Sequence, residues 1–320
     1  MASRPRRRRL CRALLTALVV ASVAVPVSGA VRPTDVPAPA PTVPGTLPAA
    51  TPSALTARYA ATRADIGAAA RAAHDHGDDK RAEALRVLAG PARHLLSFDG
   101  RHGGRAVEVV GDLSRADRIA VLVPGAGMSV DNYWRLKGGA RALRRQLGDR
   151  AAVVAWLGYE TPATVSLAAA TSRRAQDAAP ELREFIGELR RVKPAARTSL
   201  LCHSYGSVVC ARAAAGLRIA DLVLYGSPGV GVDDVAGLHT PAAVWAGRGG
   251  DDWIADVPHL RLQLPYTEVG FGTDPASEGF GARIFDAGSG GHSDYLEPGS
   301  VPLKNIARIV DGQIPDAPRA

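Results

Sequence analysis

Lysine and cysteine are both scarce in this chain. Lys80, Lys137, Lys193 and Lys304 are the only lysines, so nearly all of its basicity is arginine. Alongside abundant alanine, that excess reads as the coding bias of a GC-rich genome and excludes a dedicated nucleic-acid site as the source of the charge. The cysteines are Cys11, Cys202 and Cys210. Cys11 precedes an apolar run and is badly placed for a lipoprotein cysteine. That run, Ala13 to Val25, is too short to span a bilayer comfortably. Internal repeats and a dinucleotide glycine fingerprint are also absent, which removes solenoids and Rossmann-type cofactor binding from consideration. His74 and His76 beside Asp75, Asp78 and Asp79 invite a metal reading. They fall on a glycine-containing helix break where polar loop residues are expected, so we assign no metal and no cofactor.

The front of the chain reads as a secretion signal. Arg4, Arg6, Arg7, Arg8, Arg9 and Arg12 precede the apolar run, and Ser28-Gly29-Ala30 supplies a small-x-small cleavage site. Removing residues 1–30 takes six arginines and no acids, so the formal charge drops from +8 to +2. The remaining domain implies no polyanionic partner. Residues 31–53 alternate proline with Ala, Thr and Val, the composition of an extended or disordered linker. Residues 54–91 have helical composition, broken at Asp75-His76-Gly77-Asp78-Asp79 and stopped at Gly90-Pro91.

Residues 92–320 alternate apolar strands with helices. A hairpin over His94–Asp99 and Arg105–Gly111 comes first. Strands follow at Ile119–Val123, Ala152–Leu157, Thr198–Cys202, Leu222–Tyr225 and Ala242–Ala246. Helices are expected at Asn132–Leu147, Thr171–Val192, Ser207–Gly216 and Val301–Val310. This alternation predicts an α/β fold, a mostly parallel sheet with helices on both faces, preceded by a short helical segment. Ligands in such sheets bind beyond the carboxyl ends of the strands.

One stretch organises the chemistry. Thr198-Ser199-Leu200-Leu201-Cys202 runs into His203-Ser204-Tyr205-Gly206 and then an apolar, alanine-rich helix. A strand, a sharp turn centred on serine and a helix form the nucleophile-elbow pattern, with Cys202 where glycine is usual. Such a serine projects above the sheet edge at a helix N-terminus, where free N–H groups favour developing negative charge. A serine hydroxyl needs a base, and the base an orienting acid; in chains with this turn the order is Ser, acid, His. His292, in the glycine-rich loop Gly288–Tyr295, fits the base. His259 comes too soon, and His203 leaves the turn in another direction. The acid belongs after Ala242–Ala246, at Asp251 or Asp252, with Asp233 and Asp234 in reserve. Gly249-Gly250-Asp251-Asp252-Trp253-Ile254 favours Asp252, with Ile254 anchoring the loop in the core. The oxyanion donors are expected at the amides of Tyr205 and Ala126, with Gly127 close behind and also expected, with Tyr159 and Glu160, to contact the substrate. Tyr159, Glu160, Pro162 and Trp134 fall at the same edge of the sheet and are expected to shape the substrate rim. Cys202, at a strand end, and Cys210, on the covering helix, are expected to lie too far apart to bridge and to remain buried thiols.

Gly111-Asp112-Leu113, Arg118–Gly125, Trp156–Pro162, His203–Ser207, Gly226–Gly229 and His292–Tyr295 together resemble an actinobacterial family of secreted α/β-hydrolases without an assigned substrate. The resemblance covers roughly Ala92 to Ile309. It implies the α/β-hydrolase fold and a Ser-Asp-His triad, with Cys202 as a departure at the elbow. The expectation is a secreted serine hydrolase, extracellular or associated with the cell wall, acting on an ester, thioester or amide of a small molecule or cell-envelope component. Membrane anchorage after signal removal and nucleic-acid binding are not expected. A cell-wall acyltransferase, a peptidase and a non-catalytic binding module on a hydrolase scaffold are the alternatives. The complete order of serine, acid and histidine argues against the last.

Overall fold

The computed structural model describes residues 36–318, apart from 44, 165, 265 and 266. The proposed signal, residues 1–30, lies outside the described residues. The elements in chain order are α1 (Pro52–Asp75), α2 (Asp79–Leu88), β1 (Leu95–Asp99), β2 (Arg105–Gly111), β3 (Arg118–Val123), α3 (Trp134–Gln146), β4 (Ala151–Leu157), α4 (Arg173–Val192), β5 (Arg197–His203), α5 (Tyr205–Ala214), β6 (Asp221–Tyr225), β7 (Ala243–Gly247), β8 (Leu262–Leu264), β9 (Thr267–Val269), β10 (Arg283–Ile284) and α6 (Val301–Val310).

Eight strands form one sheet in the order β1-β2-β4-β3-β5-β6-β7-β10. From β4 to β10 the neighbours run parallel; β2 pairs antiparallel with β4, and β1 antiparallel with β2. The central strands are apolar on both sides because both faces are covered. Along β3, Ile119, Val121 and Val123 enter one core layer, and Ala120 and Leu122 the other. The first layer is closed by α4 and α5, through Ala175, Leu182, Ile186 and Leu189 and through Val208, Val209 and Ala213. Fully burying a leucine or isoleucine contributes roughly 1.5–3 kcal/mol, so the α4 stripe alone is a substantial clamp. Pro180 is tolerated inside α4 because it falls on the exposed side of the helix.

The second layer is closed by α1, α2, α3 and α6. Ile66, Leu85 and Leu88 share it with Leu95 and Phe98, so the helical segment before the sheet is part of the domain core. Thr51 caps α1 ahead of Pro52, Asp78 caps α2, and Ser300 caps α6. The described residues of 36–51, all but 44, form no helix or strand and are tied to the body by side-chain contacts. Leu47 is buried; its amide donates to Glu188 and its carbonyl accepts from Arg191 on α4. Thr42 is held by Asp65 on α1 at 2.6 Å. Prolines keep this stretch out of regular pairing and leave its backbone groups open to side chains of the helices. On α1, His74 meets the Asp79 carboxylate at the surface, 2.8 Å away.

The run Val257–Leu262 is expected from the sequence to open a strand, and β8 starts at its last residue; the hairpin partner β9 and the short edge strand β10 have no counterpart in the sequence. β10 pairs with β7 through only two residues, too few to show a hydrophobic period.

Candidate active site

Three chain segments converge beyond the carboxyl ends of β3, β5 and β7. Ser204 stands between β5 and α5 with φ 52° and ψ −128°, a backbone state that costs a non-glycine residue about 1–3 kcal/mol. Its surroundings hold it there. Its amide donates to Tyr225 O at 3.0 Å, and its carbonyl accepts both the amide and the hydroxyl of Ser207. Ser207 is tied in turn to the buried Ser227 hydroxyl at 2.6 Å. A methyl group on Gly206 would sit 2.5 Å from Val123 O, and one on Gly125 would sit 2.7 Å from Ser204 Cβ. Both glycines are required because the turn after β3 passes against the elbow.

The serine faces His292, with Oγ 2.9 Å from Nε2. On the other side of the ring, Nδ1 lies 2.8 Å from Asp252 Oδ1. Asp252 has a wholly buried side chain, whereas Asp251 is exposed. The Ile254 amide also donates to Asp252 Oδ1, and the Tyr295 hydroxyl donates to Oδ2 at 2.5 Å. Burial pushes the Asp252 carboxyl up. The hydrogen bonds from His292, Tyr295 and Ile254 outweigh it and hold its pKa below the ordinary carboxylate value. An anionic Asp252 can only accept, so Nδ1 carries a proton and Nε2 is left to accept from Ser204. Asp233 and Asp234 lie outside this assembly: Asp233 pairs with Arg261, and Asp234 accepts from the Gly237 amide. His259 sits near Asp274 instead.

His203 packs against His292, with ring centroids 4.7 Å apart and His203 Nε2 2.7 Å from His292 O. A carbonyl can only accept, so His203 is protonated at Nε2. Burial, followed by the charge of His292, pulls its pKa down to about 4, against the opposing hydrogen bond to the carbonyl. Trp253, half exposed, covers another side of His292 with centroids 4.6 Å apart. Neither Tyr295 nor Trp253 is marked by the sequence as a contact of Asp252 or His292.

Above the serine, the Tyr205 amide opens α5 and the Ala126 amide lies in the turn after β3. Neither donates to a backbone carbonyl among the described residues. Gly127 is different. Its amide is spent on Pro162 O at 2.8 Å, which removes it as a second-choice oxyanion donor. The expected rim is also revised. Tyr159 is buried, stacks on Trp156 and donates its hydroxyl to Pro124 O at 2.7 Å, so it braces the turn from behind. Its ring turns inward because the end of β4 is buried on both faces. Pro162 is buried too. Glu160 stays partly exposed, paired with Arg174, and Trp134 is exposed against Arg135.

Cys202 and Cys210 also depart from expectation: they form a disulfide, with Cα atoms 6.4 Å apart. Cys202 is the penultimate residue of β5 and Cys210 lies on the inner face of α5, both fully buried. The helix lies closer to its own strand than the free-thiol expectation assumed, and the separation falls inside the ~7 Å limit for bridging. The side chain in place of the usual elbow glycine is thereby turned into the strand–helix interface. Among the described residues no three His, Cys, Asp or Glu side chains are grouped to hold a metal ion.

A mostly parallel sheet with a strained serine after its central strand, a histidine on a late loop and a buried aspartate between them is the arrangement of the α/β-hydrolase fold. The chain belongs to the alpha/beta hydrolase family, whose model matches residues 99–262. It is similar to an uncharacterized protein of Mycobacterium tuberculosis, 31% identical over 251 residues, which covers 68% of this chain and 38% of that protein. An uncharacterized Mycobacterium bovis protein is 32% identical over 177 residues, covering 48% of this chain and 66% of its own length. The chain thus spans well under half the length of the first of these relatives. Among solved structures, a Xanthomonas campestris protein described as an α/β serine hydrolase without lid is 20% identical, with a TM-score of 0.45, covering 69% of this chain and 94% of that one.

Proposed function

We propose that the protein is a secreted serine hydrolase that cleaves an ester, or a related thioester or amide, of a small or cell-envelope acyl substrate through an acyl-enzyme on Ser204. The observation that carries this reading is the unbroken line from Ser204 Oγ to His292 Nε2 and from His292 Nδ1 to Asp252 Oδ1. In the reaction, Ser204 Oγ attacks the acyl carbon as its proton passes to Nε2. Asp252 steadies the imidazolium that forms, and His292 then delivers the proton to the leaving oxygen, sulfur or nitrogen. The carbonyl oxygen gathers negative charge toward the amides of Ala126 and Tyr205, aided by the N-terminus of α5. Water, deprotonated by the same histidine, then releases the acid and restores Ser204.

Secretion is supported by the basic and apolar composition of residues 1–30 and by the Cys202–Cys210 bridge, which suits an oxidising compartment. The test is turnover of a panel of short acyl esters, thioesters and amides by the protein and by Ser204→Ala. The serine variant should lose about 10⁴- to 10⁶-fold in turnover. Retained activity in a pure, folded Ser204→Ala sample refutes the reading.

A further inference from the structure

The Asp252 side chain is wholly buried and His292 is bound to Oδ1, so Oδ2, a buried carboxylate oxygen, needs its own donor. The Tyr295 hydroxyl meets it at 2.5 Å. The same phenol oxygen accepts the Gly249 amide at 3.0 Å. An amide can only donate, so the single phenol proton is free to point at the carboxylate. This fixes a directed chain from Gly249 N–H to Tyr295 O–H to Asp252 Oδ2, with Asp252 Oδ1 holding His292 Nδ1–H. Gly249 precedes Asp252 on the acid loop, and Tyr295 follows His292 on the base loop. One phenol therefore ties both loops together at the point where their side chains must meet.

We propose that Tyr295 is a positioning residue for the reaction: through Asp252 it fixes the carboxylate against His292 and sets how much of the carboxylate charge the base receives. This rests on the reading of Ser204, Asp252 and His292 given above. The other titratable and charged groups around the base are His203 from β5, Tyr225 from β6, Arg248 beyond β7, and Asp294 on its own loop. Of these, Arg248 pairs with Asp274, and Asp294 accepts from the Gly291 amide. Tyr295 donates to the carboxylate that orients the ring, a position none of them occupies.

The test is the pH profile of kcat/KM on a short acyl ester for Tyr295→Phe. Without the phenol proton, more of the Asp252 charge is directed at His292, its imidazolium is favoured, and the acidic limb moves to higher pH. The plateau should fall about 10- to 100-fold, the range for removing one hydrogen bond to a charged group. Replacing Tyr295 by 3-fluorotyrosine keeps the shape, strengthens the donor, and should move the limb to lower pH even if the phenylalanine variant does not fold. In an Asp252→Asn background, Tyr295→Phe should change kcat/KM less than about twofold, because the group it acts through is gone. An acidic limb that stays fixed in both substitutions, or a full loss in the Asp252→Asn background, overturns the proposal. Fluorophosphonate labelling of the unaltered protein reports separately on the underlying reading. Labelling with an unmoved limb refutes only the role of Tyr295; no labelling refutes both.

Discussion

Asp251 and Asp252 are chemically alike and adjacent, yet the structure separates them sharply. Asp252→Asn replaces one carboxylate oxygen by an amino group at a site where every neighbour is a donor: His292 Nδ1 and the Ile254 amide on Oδ1, Tyr295 on Oδ2. If the amino group faces Tyr295, it meets a phenol oxygen already taking the Gly249 amide, and the phenol proton loses its acceptor. If it faces His292, Nδ1 must accept, the ring proton moves to Nε2, and the base can no longer take the proton of Ser204. Either way the charge that steadies the imidazolium is gone. Where this loss has been measured in a serine triad it costs up to ~10⁴ in turnover, and we expect kcat to fall by 10³- to ~10⁴-fold here. Asp251 is exposed and joins the loop through its backbone amide to Ser289 O, so Asp251→Asn should stay within about twofold of the unaltered protein. The assay is ester turnover at pH 7.5 on purified variants with matching circular dichroism. Asp252→Asn retaining more than a tenth of activity, or the reverse ranking of the two variants, refutes the reasoning.

Two further predictions follow from the surroundings of the elbow. The Cys202–Cys210 bridge closes a short loop, with a sequence separation of 8, around Ser204. Non-reducing intact mass should therefore be two hydrogens lower than for the free thiols, and Cys202→Ala with Cys210→Ala should cost about 2–3 kcal/mol in urea unfolding. An unshifted mass contradicts the bridge. His203 is held neutral with a pKa near 4, against 6.5 for an ordinary histidine. The unfolded chain then binds the extra proton between those values, so this contribution to stability is present above about pH 6.5, declines as pH falls and levels off below about 4, by roughly 3 kcal/mol. The stability gap between the unaltered protein and His203→Gln should shrink over that window in urea titrations, and a pH-independent gap counts against it.

The strands β3 to β7 were legible because each is an apolar run long enough to show burial on both faces. The hairpin β1–β2 was legible because its glycine-rich turn separates two alternating runs. The serine turn was legible because its neighbours at minus two and plus two are short and a helix follows. The tyrosine on Asp252 was not, because that contact joins residues 43 apart on two loops whose approach only the folded sheet decides. Tyr159 followed a glycine at a strand end, which reads as an open edge, but its ring found a buried partner in Trp156 and an acceptor in Pro124. The disulfide turned on a Cα separation of 6.4 Å, set by how tightly α5 lies on β5, a packing distance no residue pattern encodes. Substrate identity was equally illegible, because it belongs to loop side chains beyond the sheet edge, and the fold does not choose among chemistries there.

The central claim is that Ser204 is the nucleophile. It is tested most directly by treating the purified protein with a fluorophosphonate, digesting it, and locating the adduct by mass spectrometry. The account predicts one phosphonyl group, on the peptide that carries Ser204, formed with the unaltered protein and absent from Ser204→Ala. An adduct on another residue, or none on a protein that turns over acyl esters, contradicts it.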